Sequence, residues 1–487
     1  MKLLKEILYN VRIKETVGVT NIAILGLAFD SREVEGGFSF VAVNGSQVDG
    51  HEYISVAIDN GAKSIICEKF PSNLVDGVTY VRVNDSAFSL GVMASNFYDN
   101  PSEKLKLIGV TGTNGKTTSV SLMYELFRSL GEKVGLLSTV ENKINNKVYK
   151  ATHTTPNAIE LNALLSKMVE ADCQYCFMEV SSHAVDQKRI AGVTFSGGVF
   201  TNITRDHLDY HKTFENYFEA KKGFFDALPS EAFVLTNSEQ EFGEEIMKDT
   251  KAKVYTYGLN AYSNYKAKIL ENQFDGSLLL IDNKEVYTKL IGKFNAYNSL
   301  VTYAVGVIAG FDELDVLTKL SNLTPPDGRF QQSVSDSGII TIVDYAHTSD
   351  ALENVLKTIK NIRTGNETVI TVIGCGGDRD KGKRPLMAKV ACQLSDQVLF
   401  TSDNPRSENP ETIIKDMEEG VPAKDYKKTL SITSRKEAIK TACKLAKTGD
   451  IILIAGKGHE TYQIIGDEVL DFDDYKIVKE MLKKINK

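Results

Sequence analysis

The chain is poor in cysteine, has no surplus of basic residues and contains no long apolar run. Its 6 cysteines in 487 residues do not make a disulfide framework and fit a reducing compartment. Cys173 and Cys176 form a lone C-x-x-C in "ADCQYCFMEV". No second pair at zinc-ligand spacing follows, so they read as buried strand cysteines. Lysine and arginine number 57 against 64 aspartates and glutamates, a formal charge of −7. That balance excludes bulk electrostatic attraction to nucleic acid, but not a phosphate held by backbone N–H groups and a few local lysines. No stretch nears the roughly 18 apolar residues of a spanning helix. Lys5 and Glu6 interrupt the N-terminal segment before it reaches signal-peptide length. A cytoplasmic protein without a membrane span is expected. Repeats of about 20 to 50 residues and low-complexity tracts are missing as well.

What the chain does contain is alternation. At 53.8 kDa it is too long for one ordinary core, and roughly two to four domains are expected. The first hundred residues mix short strands with Gly-rich turns. From Leu105 onward strands and helices alternate as in an α/β domain, with a small antiparallel insert near residue 260. Pro325, Pro326 and Gly328 in "LTPPDGRF" then stop any regular element. Beyond them the alternation restarts, and polar, Gly-rich residues follow each apolar strand, at the sheet edge where open α/β folds bind ligands.

The stretch "LIGVTGTNGKTTSVSLM", residues 107–123, has the form of a phosphate loop without its first glycine, Val110 standing in that place. An apolar strand runs into Gly112, Thr113, Asn114 and Gly115, then Lys116, Thr117 and Thr118, and a helix is expected from near Ser119. Such a context offers N–H groups at a helix N-terminus, a lysine for the terminal phosphates and a hydroxyl for magnesium. The glycines run G-x-x-G-x-x-G from Gly109, which disfavours a dinucleotide fold. Downstream, Glu179 ends one apolar strand, and Asp206 and His207 follow another. A carboxylate at such a position is a natural magnesium ligand, or else an ordinary loop residue.

In the helix "FENYFEAKKGFFDAL", a turn of about 100° per residue puts Phe214, Tyr217, Phe218, Phe225 and Leu228 on one face with Lys221 among them. Lys222 is expected to point toward solvent. An ammonium surrounded by aromatic rings must be paired, neutralised or able to snorkel past them. A lysine with depressed pKa can react with carbon dioxide and present a carbamate to a metal. All 7 histidines, at 51, 153, 183, 207, 211, 347 and 459, lie in polar stretches. Arg379 in "GCGGDRDKGKRPLM" and Arg406 in "SDNPRSENP" can each clamp a carboxylate, or serve as plain surface charges.

Taken together, "GVTGTNGKTT", "HTTP", "MEVSSHA", "TNITRDHLDYH", "YFEAKK", "GKFNAYN", "DGRF", "DYAHT", "GCGGDRDKGKRPLM", "DNPRSENP" and "AGKGHE" resemble, in order, the motifs of the Mur ligases. The likeness is greatest to the MurE type, which adds the third residue of the peptidoglycan stem peptide. "DSREVEGGFSFVAVNGSQVDGHEY" is similar to that family's uridine-binding domain, so the resemblance spans nearly the whole chain. It implies a three-domain α/β enzyme: a small mixed UDP-binding domain (1–102), a central P-loop-type parallel-sheet ATPase domain (103–326) and a C-terminal Rossmann-like domain for the amino acid (327–487).

By the same resemblance, Lys116 and Thr117 in the loop from Gly112 to Thr118 hold ATP and magnesium. Glu179 binds one Mg2+, and His207 with carbamylated Lys221 holds a second. Asn295, Asn298, Arg329, Asp344 and His347 contact ATP across the domain cleft. Ser31, Ser46 and Gln47 sit near the uridine, and Thr154, Thr155, Ser181, Gln187 and Arg189 hold the sugar-peptide. Arg379, Asp403, Asn404, Pro405, Arg406, Gly456 and Glu460 form the amino-acid site. The implied substrates are ATP, UDP-MurNAc-L-Ala-D-Glu and meso-diaminopimelate, handled by a monomer through an acyl phosphate. An intact DNPR accompanies meso-diaminopimelate in the family. L-lysine remains the alternative, and a folylpolyglutamate synthetase a more distant one that shares the loop and the ligation chemistry.

Overall fold

The computed structural model describes residues 1–45, 48–260 and 262–487. Three large β-sheets, each flanked by helices, succeed one another along the chain. The first has five strands in the order Ile13–Val17, Thr79–Val83, Ser64–Cys67, Ser39–Val41, Leu27–Ala28, all parallel but the first. Ser64–Cys67 is buried along its whole length, as a short apolar run must be when both sheet faces are covered.

The central sheet has eleven strands. Its parallel part runs Val134–Leu137, Tyr175–Glu179, Lys106–Thr111, Gly197–Phe200, Phe233–Asn237, Lys253–Gly258, Tyr265–Gln273. From Lys106–Thr111 the chain fills one side of the sheet and then the other. The loop after this strand therefore sits at the switch point where such sheets bind ligands. The antiparallel strands near residue 260 are not a separate insert. Tyr265–Gln273 bonds in parallel to Lys253–Gly258, so Gly276–Ile281 and Lys284–Thr288 extend the same sheet.

Apolar clusters cover both faces of this sheet. At the centre of one, the Phe127 ring meets Tyr175, Phe177 and Phe311 edge-on at 4.7, 4.8 and 5.1 Å, the geometry that ring quadrupoles favour. The helix Lys116–Ser129 starts three residues earlier than expected, because Gly115 takes the left-handed conformation (φ +88°) and caps it.

The third sheet has six strands, Gln331–Val334, Ile340–Asp344, Ile451–Ala455, Val369–Ile373, Gln397–Phe400 and Thr429–Ser431, of which only the first is antiparallel. Beneath it the fully buried pair Arg435 and Asp474 meets through two hydrogen bonds of 2.8 and 2.7 Å. The break at 323–330 holds no regular element. Its Gly328 already belongs to the third unit, donating to Gln331 Oε1 and accepting from the Tyr345 N–H, both at 2.9 Å. All six cysteines are buried and free, including Cys173 and Cys176. Among the described residues no helix is long and apolar enough to cross a membrane.

Candidate active site

The phosphate loop is braced from the neighbouring strand end. Gly112 (φ +150°) lies so close to it that a Cβ there would stand 1.9 Å from Thr201 Oγ1. Thr201 Oγ1 donates to the Asn114 carbonyl at 2.7 Å, and Asn202 Oδ1 accepts the Asn114 N–H at 2.9 Å. No side chain among the described residues caps the helix that follows. Its first-turn N–H groups are thus free to receive an anion. They face a cavity of about 980 Å³ that is lined by Thr113, Asn114, Gly115, Lys116, Thr117 and Thr118.

Lys221 enters this cavity from below. It is 1% exposed, donates to the Gly112 carbonyl at 2.8 Å and lies 4.7 Å from the centre of the Tyr217 ring. Burial, and after it the nearby Lys116, pushes its pKa well below the ordinary lysine value. Lys222, expected to face solvent, is also buried. It reaches Asp226 at 2.9 and 2.8 Å and also pairs with Asp249, so it does lie off the apolar face, where two surface acids cover it.

Thr117, Glu179, His207 and Lys221 line the same cavity. Glu179 Oε1 accepts the Thr139 N–H at 2.8 Å, whereas the buried Oε2 has no partner among the described residues. An orphaned carboxylate oxygen aimed into a phosphate-loop cavity suits a hard cation. His207 (φ +54°) caps the short helix Leu208–His211, and its Nε2 lies 3.4 Å from Asp206 Oδ2. Burial lowers the His207 pKa, so the ring is held neutral with nitrogen available as a donor atom. Among the described residues no three His, Cys, Asp or Glu side chains form a ready-made metal cluster.

The remaining nucleotide candidates divide. Arg329 Nη2 donates to Thr117 Oγ1 at 2.9 Å, and its guanidinium lies 4.5 Å from the Tyr345 ring centre. His347 and Asn298 line the cavity. Asn295 does not; its Oδ1 accepts from Asn298 at 3.0 Å and orients it. Asp344 lines the wall but is committed to the Phe330 and Ala346 N–H groups at 2.6 and 2.8 Å.

A second cavity, of about 1240 Å³, lies between the first and central units and is lined by Ser31, His153, Gln187, Arg189 and Tyr210 among others. Arg189 holds Gln187 Oε1 through Nε and Nη2 at 2.9 and 2.6 Å. Thr154 and Ser181 face the first cavity. Thr155 lines neither: its hydroxyl donates to the Glu179 carbonyl at 2.7 Å, which makes it a tie for the strand end. Ser46 and Gln47 lie outside the described residues.

In the third unit, Asn404 Nδ2 donates to Glu460 Oε2 at 2.8 Å, and buried Lys457 reaches both residues, at 3.0 and 2.9 Å. Arg406 (φ +53°) donates from Nη1 to the Gly377 carbonyl at 2.8 Å. Arg379 donates to the Asp378 carbonyl at 3.1 Å. Gly456 (φ +113°) lies against Asp403, and the Pro405 carbonyl against Gly377. The expected residues lie on neighbouring loops of the third unit, and none of them lines either of the two cavities.

Asp206, singled out in the sequence with His207, stands beside it in the cavity wall. Two contributors, Asp350 and Lys457, escaped the sequence reading. Asp350 Oδ2 accepts from Asn114 Nδ2 at 2.9 Å, joining the phosphate loop to the third unit. Lys457 offered a signal in "AGKGHE", a cation among small residues after an apolar strand, whereas Asp350 sits in an ordinary amphipathic helix and offered none.

Known proteins match this arrangement. Residues 23–98 match the Mur ligase family catalytic domain, 110–306 the Mur ligase middle domain and 328–458 the Mur ligase glutamate ligase domain. A protein of Cytophaga hutchinsonii named UDP-N-acetylmuramoyl-L-alanyl-D-glutamate--2,6-diaminopimelate ligase is 53% identical, over 99% of this chain and 100% of its own length. One of the same name from Bacteroides fragilis is 53% identical over 98% and 99%. A solved structure of a ligase with that name superposes with a TM-score of 0.69 at 32% identity, covering 100% of this chain and 99% of the other. With all three domains matched in order around the phosphate-loop cavity, and identity sustained along nearly the whole length, the chain belongs to the Mur ligase family.

Proposed function

We propose that the protein joins meso-diaminopimelate to the D-glutamyl carboxylate of UDP-MurNAc-L-Ala-D-Glu with consumption of ATP, in peptidoglycan precursor synthesis. The observation that carries this reading is the convergence of the phosphate loop, buried Lys221, His207 and the half-unsatisfied Glu179 carboxylate on one cavity. Residues 1–102 would bind the uridine end, 103–326 ATP and 327–487 the amino acid. That all the groups come from one chain supports a monomer, and the use of ATP with a UDP-linked sugar supports a cytoplasmic reaction.

Lys116 and the first-turn N–H groups bind the triphosphate. Arg329 leaves Thr117 to take a phosphate oxygen. Glu179, Thr117, His207 and Lys221, the last as its carbamate, would hold two magnesium ions. Such ions supply charge neutralisation at the γ-phosphoryl group. The glutamyl carboxylate oxygen forms a bond to the γ-phosphorus, ADP departs, and an acyl phosphate results. The neutral amine then attacks the acyl carbon, the carbon–oxygen bond breaks, phosphate leaves, and the amide nitrogen sheds a proton. Closing the third unit over the second, by rotation N-terminal to the anchored Gly328, would keep water from the acyl phosphate.

Arg406 and Arg379 suit the distal carboxylate of meso-diaminopimelate. L-lysine lacks that carboxylate and would leave both guanidiniums unmatched, a loss that can reach a factor on the order of 10⁴. Ligation with 18O in the glutamyl carboxylate tests the route. One labelled oxygen in the released phosphate is expected; unlabelled phosphate would rule out the acyl phosphate.

A further inference from the structure

The two loops that carry Arg379 and Arg406 are joined by an ion network in which Arg384 is buried and its acid partners Glu408 and Asp416 are partly exposed. Arg384, 1% exposed near the start of the helix Lys383–Leu394, turns its guanidinium onto Glu408. Nη2 donates to Oε1 at 2.8 Å and Nη1 to Oε2 at 3.0 Å. Nη1 also reaches Asp416 Oδ2 at 2.7 Å. Glu408 Oε1 in turn accepts the backbone N–H of Asp378 at 2.7 Å, so one carboxylate grips the loop next to Arg379 while sitting two residues from Arg406. The loops are also sewn together directly. The Gly377 N–H donates to the Asn404 carbonyl at 2.9 Å, and Ser407 Oγ to Asp378 Oδ1 at 2.6 Å. A Cβ on Gly377 would stand 1.9 Å from the Pro405 carbonyl oxygen, so the backbones are in contact.

Stability alone is a weak reason for such a network. A partly buried ion pair gains little, since desolvation of the buried arginine and solvent screening of the acids offset the attraction. An apolar staple could fasten the helix, but it could not accept the Asp378 N–H. The forked guanidinium fixes the carboxylate in one orientation, and the carboxylate fixes the spacing of the two loops.

Resting on the reading of Arg379 and Arg406 as the site for a distal carboxylate, we propose that Arg384 and Glu408 are positioning residues that set those two arginines for a diamino dicarboxylic acid and against a diamine lacking that carboxylate. Neither touches substrate; they act through the loop backbones.

Steady-state kinetics on the full chain, with each substrate varied in turn, tests this. Glu408→Gln should raise KM for meso-diaminopimelate about tenfold and Ser407→Ala about twofold, with kcat nearly constant. KM for ATP and for UDP-MurNAc-L-Ala-D-Glu should hold, and the preference over L-lysine should narrow. A merely structural role would lower kcat through the active fraction and leave every KM and the preference unchanged, and that result overturns the proposal. Ser407 is exposed, so Ser407→Ala carries the same decision if Glu408→Gln does not fold. Wild-type protein that fails to use meso-diaminopimelate would instead defeat the underlying reading.

Discussion

Lys116 and Lys221 donate to the same acceptor, the Gly112 carbonyl oxygen, each from 2.8 Å. Their nitrogens therefore lie within about 6 Å of each other, where two unit charges repel by about 3 kcal/mol at an effective dielectric of about 20. One of them is better neutral. Burial lowers the pKa of both, but on Lys116 it is opposed by Glu179 and Asp206, whereas on Lys221 the charge of Lys116 adds to it and only Asp206 opposes, so Lys221 is pushed down the further. The amine fit to take up carbon dioxide is Lys221.

Lys221→Ala should thus bind UDP-MurNAc-L-Ala-D-Glu as the parent does but lose turnover by about 100-fold or more, the scale of losing a group that stabilises developing charge. Protein equilibrated with 13C-labelled carbon dioxide at neutral pH should show a carbamate carbon signal that the variant lacks. Its absence from the parent would refute the carbamate.

Arg406→Lys keeps a charge but loses the flat fork. The expected outcome is a KM for meso-diaminopimelate raised on the order of tenfold or more, with ATP binding unchanged by calorimetry. Equal kinetics for the two proteins would remove Arg406 from the amino-acid site.

The Lys221 anomaly was legible before any fold was known, because helical periodicity alone puts a cation on an aromatic face. The same periodicity misjudged the exposure of Lys222. Asp249, which shares it, comes from a segment 27 residues away, and local pattern carries no such information. The phosphate loop was readable because its residues are contiguous. Glu179 was readable only as a strand end; that one of its oxygens is satisfied and the other is not depends on Thr139, in the loop after the neighbouring strand Val134–Leu137. Thr155 and Asn295 fell within recognisable motifs yet turn inward as supports, a distinction set by side-chain direction rather than residue type. The Arg384–Glu408 fork was illegible for the same reason as Asp249: it closes between a helix and a loop 24 residues apart that only the fold brings together.

Asp474→Ala should cost about 3–5 kcal/mol by leaving the Arg435 guanidinium buried and unpaired. Denaturant melts monitored by circular dichroism check this, and a loss under about 1 kcal/mol would mean that water reaches the pair.

Hydrogen bonds from Arg384, chiefly, draw the Glu408 carboxyl down to about 2 from 4.5. A carboxyl whose pKa is lower in the folded chain adds stability in full above its unfolded value and loses it as pH falls toward the folded one. The melting-temperature gap between the parent and Glu408→Gln should therefore be constant above about pH 5 and narrow below about pH 4.5. A gap that stays constant down to about pH 3 would contradict the pairing.

The most direct test of the account is phosphate release from ATP by the purified protein with UDP-MurNAc-L-Ala-D-Glu, comparing meso-diaminopimelate with L-lysine. Release with meso-diaminopimelate at an efficiency on the order of 10²-fold or more above L-lysine is predicted. Release that favours L-lysine would contradict the assignment of Arg406, and no release with either would contradict the ligase itself.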